Sequence, residues 1–312
     1  MNTQSSSTVE RLMDEACLER FLLSLNVRPR SVAAYRHNLR AFFNYLVEQG
    51  IRQPVSEHVF AYRNFLVKEG KKPSTVHAYI AAVRMFFRWT ADEGLYDNIA
   101  EGIRVPGSGH IHRRDALTAH QARNVLGKID CSVLKGLRNY AIVALMTIGG
   151  LRCIEVSRAK VGDFTRRGKN TVLYIYGKGR DGSGAEYIRL SPCIKQALRT
   201  YLDKRGKVEP EAPLFAGVGN RNRHAPLSTR MISKIVKDCL REAGYDSDRL
   251  CAHSLRHTAV TLALKGGEKL EAVKEFARHT SVNTTLIYSH AIDLERSTCS
   301  QTIEREIFKI MK

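Results

Sequence analysis

No stretch of this 312-residue chain stays apolar for long. The longest apolar run, AIVALM at 141–146, falls far short of the roughly 20 residues a membrane-spanning helix needs. The first residues, MNTQSSSTVERLMDEA, lack the apolar core of a signal peptide. Seven cysteines, an odd number, include no C-x-x-C pair. That argues against a disulfide framework and a zinc module, and it suits a reducing compartment. Acidic residues are scarce beside basic ones: 31 Asp and Glu against 50 Lys and Arg, for a formal net charge of +19. There is no G-x-x-x-x-G-K-[ST] loop and no cluster of carboxylates suited to holding two metals. The absences point to a cytoplasmic protein with no membrane partner, metal or cofactor. The charge points to a polyanionic partner, most simply nucleic acid.

The length allows two domains with cores of their own. Residues 1–16 are polar and read as a flexible N-terminus. From Ser31, Val32, Tyr35, Leu39, Phe42, Phe43 and Leu46 keep helical spacing until Gly50. From Ser74, Val76, Tyr79, Val83, Phe86 and Phe87 repeat the pattern until Gly94, at an offset of 44. Two equivalent helices of one bundle, within a domain at 17–103, account for the echo. Their opposite faces carry His37 and Arg40 in the first copy, and His77, Arg84 and Arg88 in the second. Such a polar, basic face suits a DNA backbone or major groove, and it equally suits plain solvent.

Residues 104–115, RVPGSGHIHRRD, read as a basic linker. Beyond it, ALTAHQARNVLGKI predicts a helix capped by Thr118, and NYAIVALMTI a buried helix ending at Gly149-Gly150. Residues 171–176 and 186–190 predict a β-hairpin with Lys178 near its glycine-rich tip. From about 192 the pattern is helical to the end, broken by a loop at 209–228. The expected fold class is mainly α: a helical-bundle N-terminal domain, then a mixed α+β domain at 116–290 with a small antiparallel sheet. A helical segment at 291–312 follows, with Ile303, Ile307 and Met311 on one stripe.

Four clusters carry candidate chemistry: GGLRCIEV with Arg152, GKGR with Lys178, AHSLRHTAV with His253, Arg256 and His257, and RHTSVNTTLIYSHA with His279 and Tyr288. Singly, each has a plainer explanation. Arg152 can pair with Glu155 three residues on, and Lys178 can be a solvated turn lysine. His279 can be a structural histidine. His253 and His257, four apart, could face a metal, but the glutamate of an H-E-x-x-H site and a third ligand are absent. As a set they have one chemical logic. Two arginines clamp a phosphodiester and stabilise extra negative charge, histidines and a lysine donate or move protons, and a tyrosine hydroxyl attacks.

In order and spacing, these motifs resemble those of the tyrosine recombinase family, the phage-type integrases, and most of all its simple Xer-like members. The resemblance covers about 116–290, and the N-terminal helical half is similar to the family's core-binding domain. It implies roles as follows. Arg152 and Arg256 clamp the phosphate, and Lys178 protonates the 5′ oxygen. His253 is the acid/base histidine, His279 hydrogen-bonds the phosphate, and Tyr288 is the nucleophile. Glu155 and His257 are supports behind these groups. It further implies a site-specific recombinase that cuts and rejoins double-stranded DNA at core sites through a 3′-phosphotyrosine and a four-way junction. Such an enzyme works as a tetramer, with or without accessory proteins. The segment at 291–312 would then dock on a neighbouring protomer or within its own chain. A type IB topoisomerase, sharing the nucleophile and arginines, and an inert basic DNA-binding regulator are the competing readings. Two positions depart from the family pattern. Gly149 stands where threonine is expected before G-L-R, and Arg278 stands where glycine is expected before His279. Both read as local packing differences.

Overall fold

The computed structural model describes residues 12, 14–104, 115–176, 186–219, 224–279, 281–288 and 304. The chain divides into two compact units, Met1–Ile111 and His112–Lys312.

The first unit contains α1 (Glu15–Ser24), α2 (Pro29–Glu48), α3 (Ser56–Lys68) and α4 (Pro73–Asp92). The echo in the sequence has a structural counterpart. Helices α2 and α4 are each 20 residues long and carry proline in the first turn, where its missing N–H costs no hydrogen bond. Each is followed by a glycine with positive φ, Gly50 at 67° and Gly94 at 66°. Leu39, Phe42, Phe43 and Leu46 of α2 and Val83, Phe86 and Phe87 of α4 are buried in one core with Phe21 and Tyr62. Phe86 meets Phe21 and Phe43 edge-on, each at 5.3 Å, the arrangement that aromatic quadrupoles favour. Order begins inside the stretch expected to be flexible. Leu12 is buried and α1 starts at Glu15, because Leu12, Leu18, Phe21 and Leu22 together contribute to the core. The expected linker at 104–115 lies mostly outside the described residues.

The second unit runs α5 (Ala119–Gly127), α6 (Leu134–Thr147), α7 (Cys153–Arg158), a 3-10 turn (Val161–Asp163), β1 (Phe164–Arg167), β2 (Asn170–Ile175), β3 (Glu186–Arg189), α8 (Pro192–Arg205), α9 (Thr229–Glu242), α10 (Ala252–Lys265) and α11 (Leu270–Ala277). Residues 282–288 form a further short helix of about two turns. Thr118 caps α5 as its sequence predicts: its Oγ1 accepts from the Gln121 N–H at 3.2 Å, and its own N–H donates to Gln121 Oε1 at 2.8 Å. The apolar run at 141–146 is buried throughout. It belongs to α6, which packs against α5, α7, α8, α9 and α10. That central place explains why the run has no polar face. The predicted hairpin is β2–β3, paired Val172↔Arg189 and Leu173↔Ile188. A third strand, β1, pairs antiparallel with β2. Its sequence, FTRR, carries no apolar alternation to announce it. Among the described residues no helix is long and apolar enough to cross a membrane.

The turn from α6 to α7 sets the position of Arg152. Gly150 has φ +63°, a region that non-glycine residues enter only at a cost. At Gly149 a Cβ would lie 2.7 Å from the Leu145 carbonyl oxygen and 3.1 Å from Leu151 Cδ1. The family-like threonine therefore does not fit this chain's turn. Gly149→Thr is expected to destabilise the second unit by about 1–3 kcal/mol, the usual cost of overpacking. Urea denaturation checks this, and unchanged stability would refute the steric account.

Candidate active site

Two guanidiniums converge on one buried carboxylate. Arg152 sits at the N-terminus of α7. Its Nη1 donates to Glu155 Oε1 at 2.8 Å and its backbone N–H to Oε2 at 2.8 Å. Arg278 Nη2 donates to the same Oε2 at 2.9 Å. Glu155 is only 1% exposed. Burial alone would raise its carboxyl pKa. The Arg278 charge, then the Arg152 backbone N–H and both guanidinium hydrogen bonds, outweigh burial and hold it below the usual carboxylate range.

Arg256 comes from α10 and is 2% exposed. Its Nη1 donates to the Gly150 carbonyl at 2.6 Å, and its Nη2 donates to the Ala277 carbonyl. Arg152 Nη2 donates to the Arg278 carbonyl at 3.0 Å. The turn after α6 and the C-terminal end of α11 thus supply the carbonyls that orient both arginines. Burial, reinforced by the Arg152 and Arg278 charges, lowers the Arg256 pKa to about 9. It remains charged at neutral pH.

The histidines and the tyrosine close the site. His253 is exposed and His257 buried, one turn apart on α10, with rings 4.5 Å apart. Tyr288 is buried against Val260, Val273 and Ala277. Its hydroxyl is hydrogen-bonded to His257 Nδ1, and its ring lies nearly parallel to His279 at 6.4 Å. His279 Nδ1 is 2.8 Å from Thr285 Oγ1, a buried hydroxyl. Burial, then the charges of Arg256, Arg152, Arg278 and His253, pull the His279 pKa down to about 4, so the ring is neutral at pH 7. Burial pushes the Tyr288 phenol up to about 12, with the Arg256 charge working the other way.

The structure therefore brings together Arg152, Glu155, His253, Arg256, His257, His279 and Tyr288. Lys178 lies outside the described residues, as do Ile303, Ile307 and Met311 of the expected C-terminal stripe. His257, expected behind the reacting groups, instead touches the Tyr288 hydroxyl. Arg278, expected to be a packing difference, is corrected: its charged side chain is 8% exposed and ion-paired inside the site. Nothing in the local sequence signals this pairing, since Arg278 lies 123 residues from Glu155. In the first unit, His37, Arg40, His77, Arg84 and Arg88 are all exposed. His37 Nε2 lies 3.2 Å from the Tyr79 hydroxyl, and Arg40 is ion-paired to Glu15 at 2.8 Å.

The sequence model of the phage integrase family matches residues 115–295, and that of the phage integrase N-terminal SAM-like domain matches 18–94. The chain belongs to the phage integrase family, the tyrosine recombinases. Among curated members, a tyrosine recombinase of Synechococcus elongatus is 31% identical over 189 residues, 60% of this chain and 58% of that protein. The chain spans less than two thirds of the length of the curated relatives it matches first. The fold is shared with XerH recombinase bound to a palindromic difH substrate in a post-cleavage complex. That likeness has a TM-score of 0.70 at 22% identity, covering 91% of this chain and 84% of that one. It is also shared with a lambda integrase tetramer bound to a Holliday junction, with a TM-score of 0.66 at 19% identity, covering 87% and 74%.

The His279 environment gives this family member a defined acid response. The folded pKa of about 4 lies below the ordinary 6.5, so the unfolded chain takes up the proton first as pH falls. Stability from this residue is intact above pH 6.5 and is lost as pH drops toward 4. Urea denaturation across that window should show a shallower loss for His279→Asn than for wild type. Identical pH slopes would contradict the assignment.

Proposed function

We propose that this chain is a site-specific DNA recombinase that breaks and rejoins duplex DNA, with Tyr288 as its nucleophile. The observation that carries this is the gathering of Arg152, Arg256, His279 and Tyr288 into one site, from segments far apart in sequence. Family membership and the fold shared with DNA-bound recombinases support it.

The chemistry follows from the groups present. Tyr288 Oη attacks phosphorus; the Oη–P bond forms and the P–O5′ bond breaks, leaving a 3′-phosphotyrosine. Arg152 and Arg256 meet the charge that builds on the non-bridging oxygens, and being already oriented by carbonyls they need little reorganisation. In the tautomer whose Nδ1 accepts from the Thr285 hydroxyl, His279 carries its proton on Nε2 and donates it to the same phosphate. The phenol is held neutral in the resting protein, so its proton leaves during attack, toward the His257–His253 pair. Lys178 supplies the proton that the departing 5′ oxygen takes. A 5′ hydroxyl from the partner duplex then reverses these steps, and two rounds pass through a four-way junction. The linkage energy stays in the phosphotyrosine, so the exchange consumes no nucleotide.

The assembly we propose is a tetramer on two core sites in the cytoplasm, serving integration, excision or resolution, with accessory proteins where the site demands them. An apolar groove of about 940 Å³, lined by Ala122, Leu126, Ala259, Ala263, Val273 and Phe276, suits the Ile303–Ile307–Met311 stripe of a neighbouring copy. In the first unit, His37, Arg40, His77, Arg84 and Arg88 would contact the DNA backbone; of these, Arg40 must share its charge with Glu15.

Two outcomes test this reading. Wild-type protein incubated with fragments of host genomic DNA should form an SDS-resistant protein–DNA adduct, whose ends map the cleaved site. Tyr288→Phe should form none; an adduct that survives this change would remove Tyr288 as the nucleophile. Binding to the mapped duplex should weaken steeply with salt, and Arg84→Ala with Arg88→Ala should flatten the log–log slope by roughly 1–2 units. A salt-insensitive affinity would sink the proposed backbone contacts.

A further inference from the structure

Arg278 occupies an improbable position. It ends α11 with φ +54° and ψ +49°, a left-handed conformation usually left to glycine at the end of a helix. Its side chain is 8% exposed, and among the described residues its Nε has no hydrogen-bond partner. Both features cost stability, and costs of this kind concentrate where a site requires them.

What the residue does is visible in its contacts. Its Nη2 shares Glu155 Oε2 with the Arg152 backbone N–H, so the Arg152 guanidinium meets that carboxylate with one prong, Nη1 on Oε1. The other prong of Arg152, Nη2, is held by the carbonyl of Arg278 itself. Arg278 Nη2 also shares the Gly150 carbonyl with Arg256, at 3.1 Å and 2.6 Å respectively. Arg278 Nη1 closes its own turn on the Phe276 carbonyl at 2.8 Å. The left-handed backbone at 278 follows directly on the Ala277 carbonyl that receives Arg256 Nη2. Removal of the side chain would leave Oε2 with the Arg152 backbone N–H alone and open a lone pair on it, on which Arg152 could close its second prong. That bidentate geometry is the one arginine and carboxylate prefer.

We propose that Arg278 is a positioning residue for strand cleavage: by occupying Glu155 and holding Arg152 through its carbonyl, it fixes the Arg152 guanidinium in the orientation that receives the scissile phosphate. The proposal rests on the recombinase reading above. Arg278 itself is spent on Glu155 and makes no DNA contact.

The test compares full-length wild type with Arg278→Gly, which suits the backbone, Arg278→Lys, and Arg278→Gly combined with Glu155→Gln. The probe is the duplex mapped with wild-type protein, rebuilt with a nick beside the cleavage position. Arg278→Gly should bind it with Kd within about twofold of wild type but form the tyrosine adduct about 10- to 100-fold more slowly, the usual scale for a misplaced catalytic group. Lysine should restore part of the rate, and so should Glu155→Gln, which weakens the competing clamp. Equal adduct rates for wild type and Arg278→Gly would overturn the proposal. So would a slower rate matched by an equal loss of DNA affinity, which would make Arg278 a DNA contact. If Arg278→Gly fails to fold, Arg278→Asn replaces it, since asparagine tolerates the left-handed conformation. A second readout needs no DNA. In nitrogen-labelled free protein, the Arg152 guanidinium signals should shift in Arg278→Gly, and unchanged signals would overturn the proposal. Should wild type form no adduct, the recombinase reading fails, while this second readout still judges the placement of Arg152.

Discussion

The buried carboxylate of Glu155 is the constraint around which the second unit's site is arranged. A carboxylate this far from water is costly unless it is paired and fully hydrogen-bonded. Arg152 satisfies it from α7 and Arg278 from the end of α11, so two elements over a hundred residues apart are fastened at one point. Arg256 is held by carbonyls from the same two turns, at Gly150 and Ala277. Break the pairing and both arginines lose their reference frame together.

The arrangement places several positive charges close together, and their mutual repulsion shapes the rest of the site. After burial, the larger cause for both, it helps keep His279 neutral and pull Arg256 below its ordinary pKa. A site under such repulsion is relieved by an incoming polyanion. That relief suits the phosphodiester of the proposed substrate, while the apolar packing of Tyr288 on Val260, Val273 and Ala277 keeps its phenol neutral.

Much of the fold was legible because periodicity reports burial directly. The 44-residue echo became two 20-residue helices, Thr118 became a cap, and the residues at 171–176 and 186–190 became neighbouring strands. Strand β1 was not legible, since FTRR gains its strand geometry from pairing with β2 and not from its own pattern. The early start of α1 was also missed, because MNTQSSSTVERLMDEA is mostly polar and its few apolar residues matter only once a core exists to receive them.

By itself, the sequence determined which chemical groups this protein has: the arginines, histidines and tyrosine, their order along the chain, and the surplus of positive charge. Residue type and local spacing carry that information. Only the tertiary structure decided how the groups are placed. It set the Tyr288 hydroxyl against His257, which the sequence had placed behind the reacting groups, and it turned Arg278 from an apparent packing substitution into a partner of Glu155. The physical reason is that hydrogen-bond partners at 3 Å come from turns distant in sequence. No local pattern records which carbonyl an arginine will find.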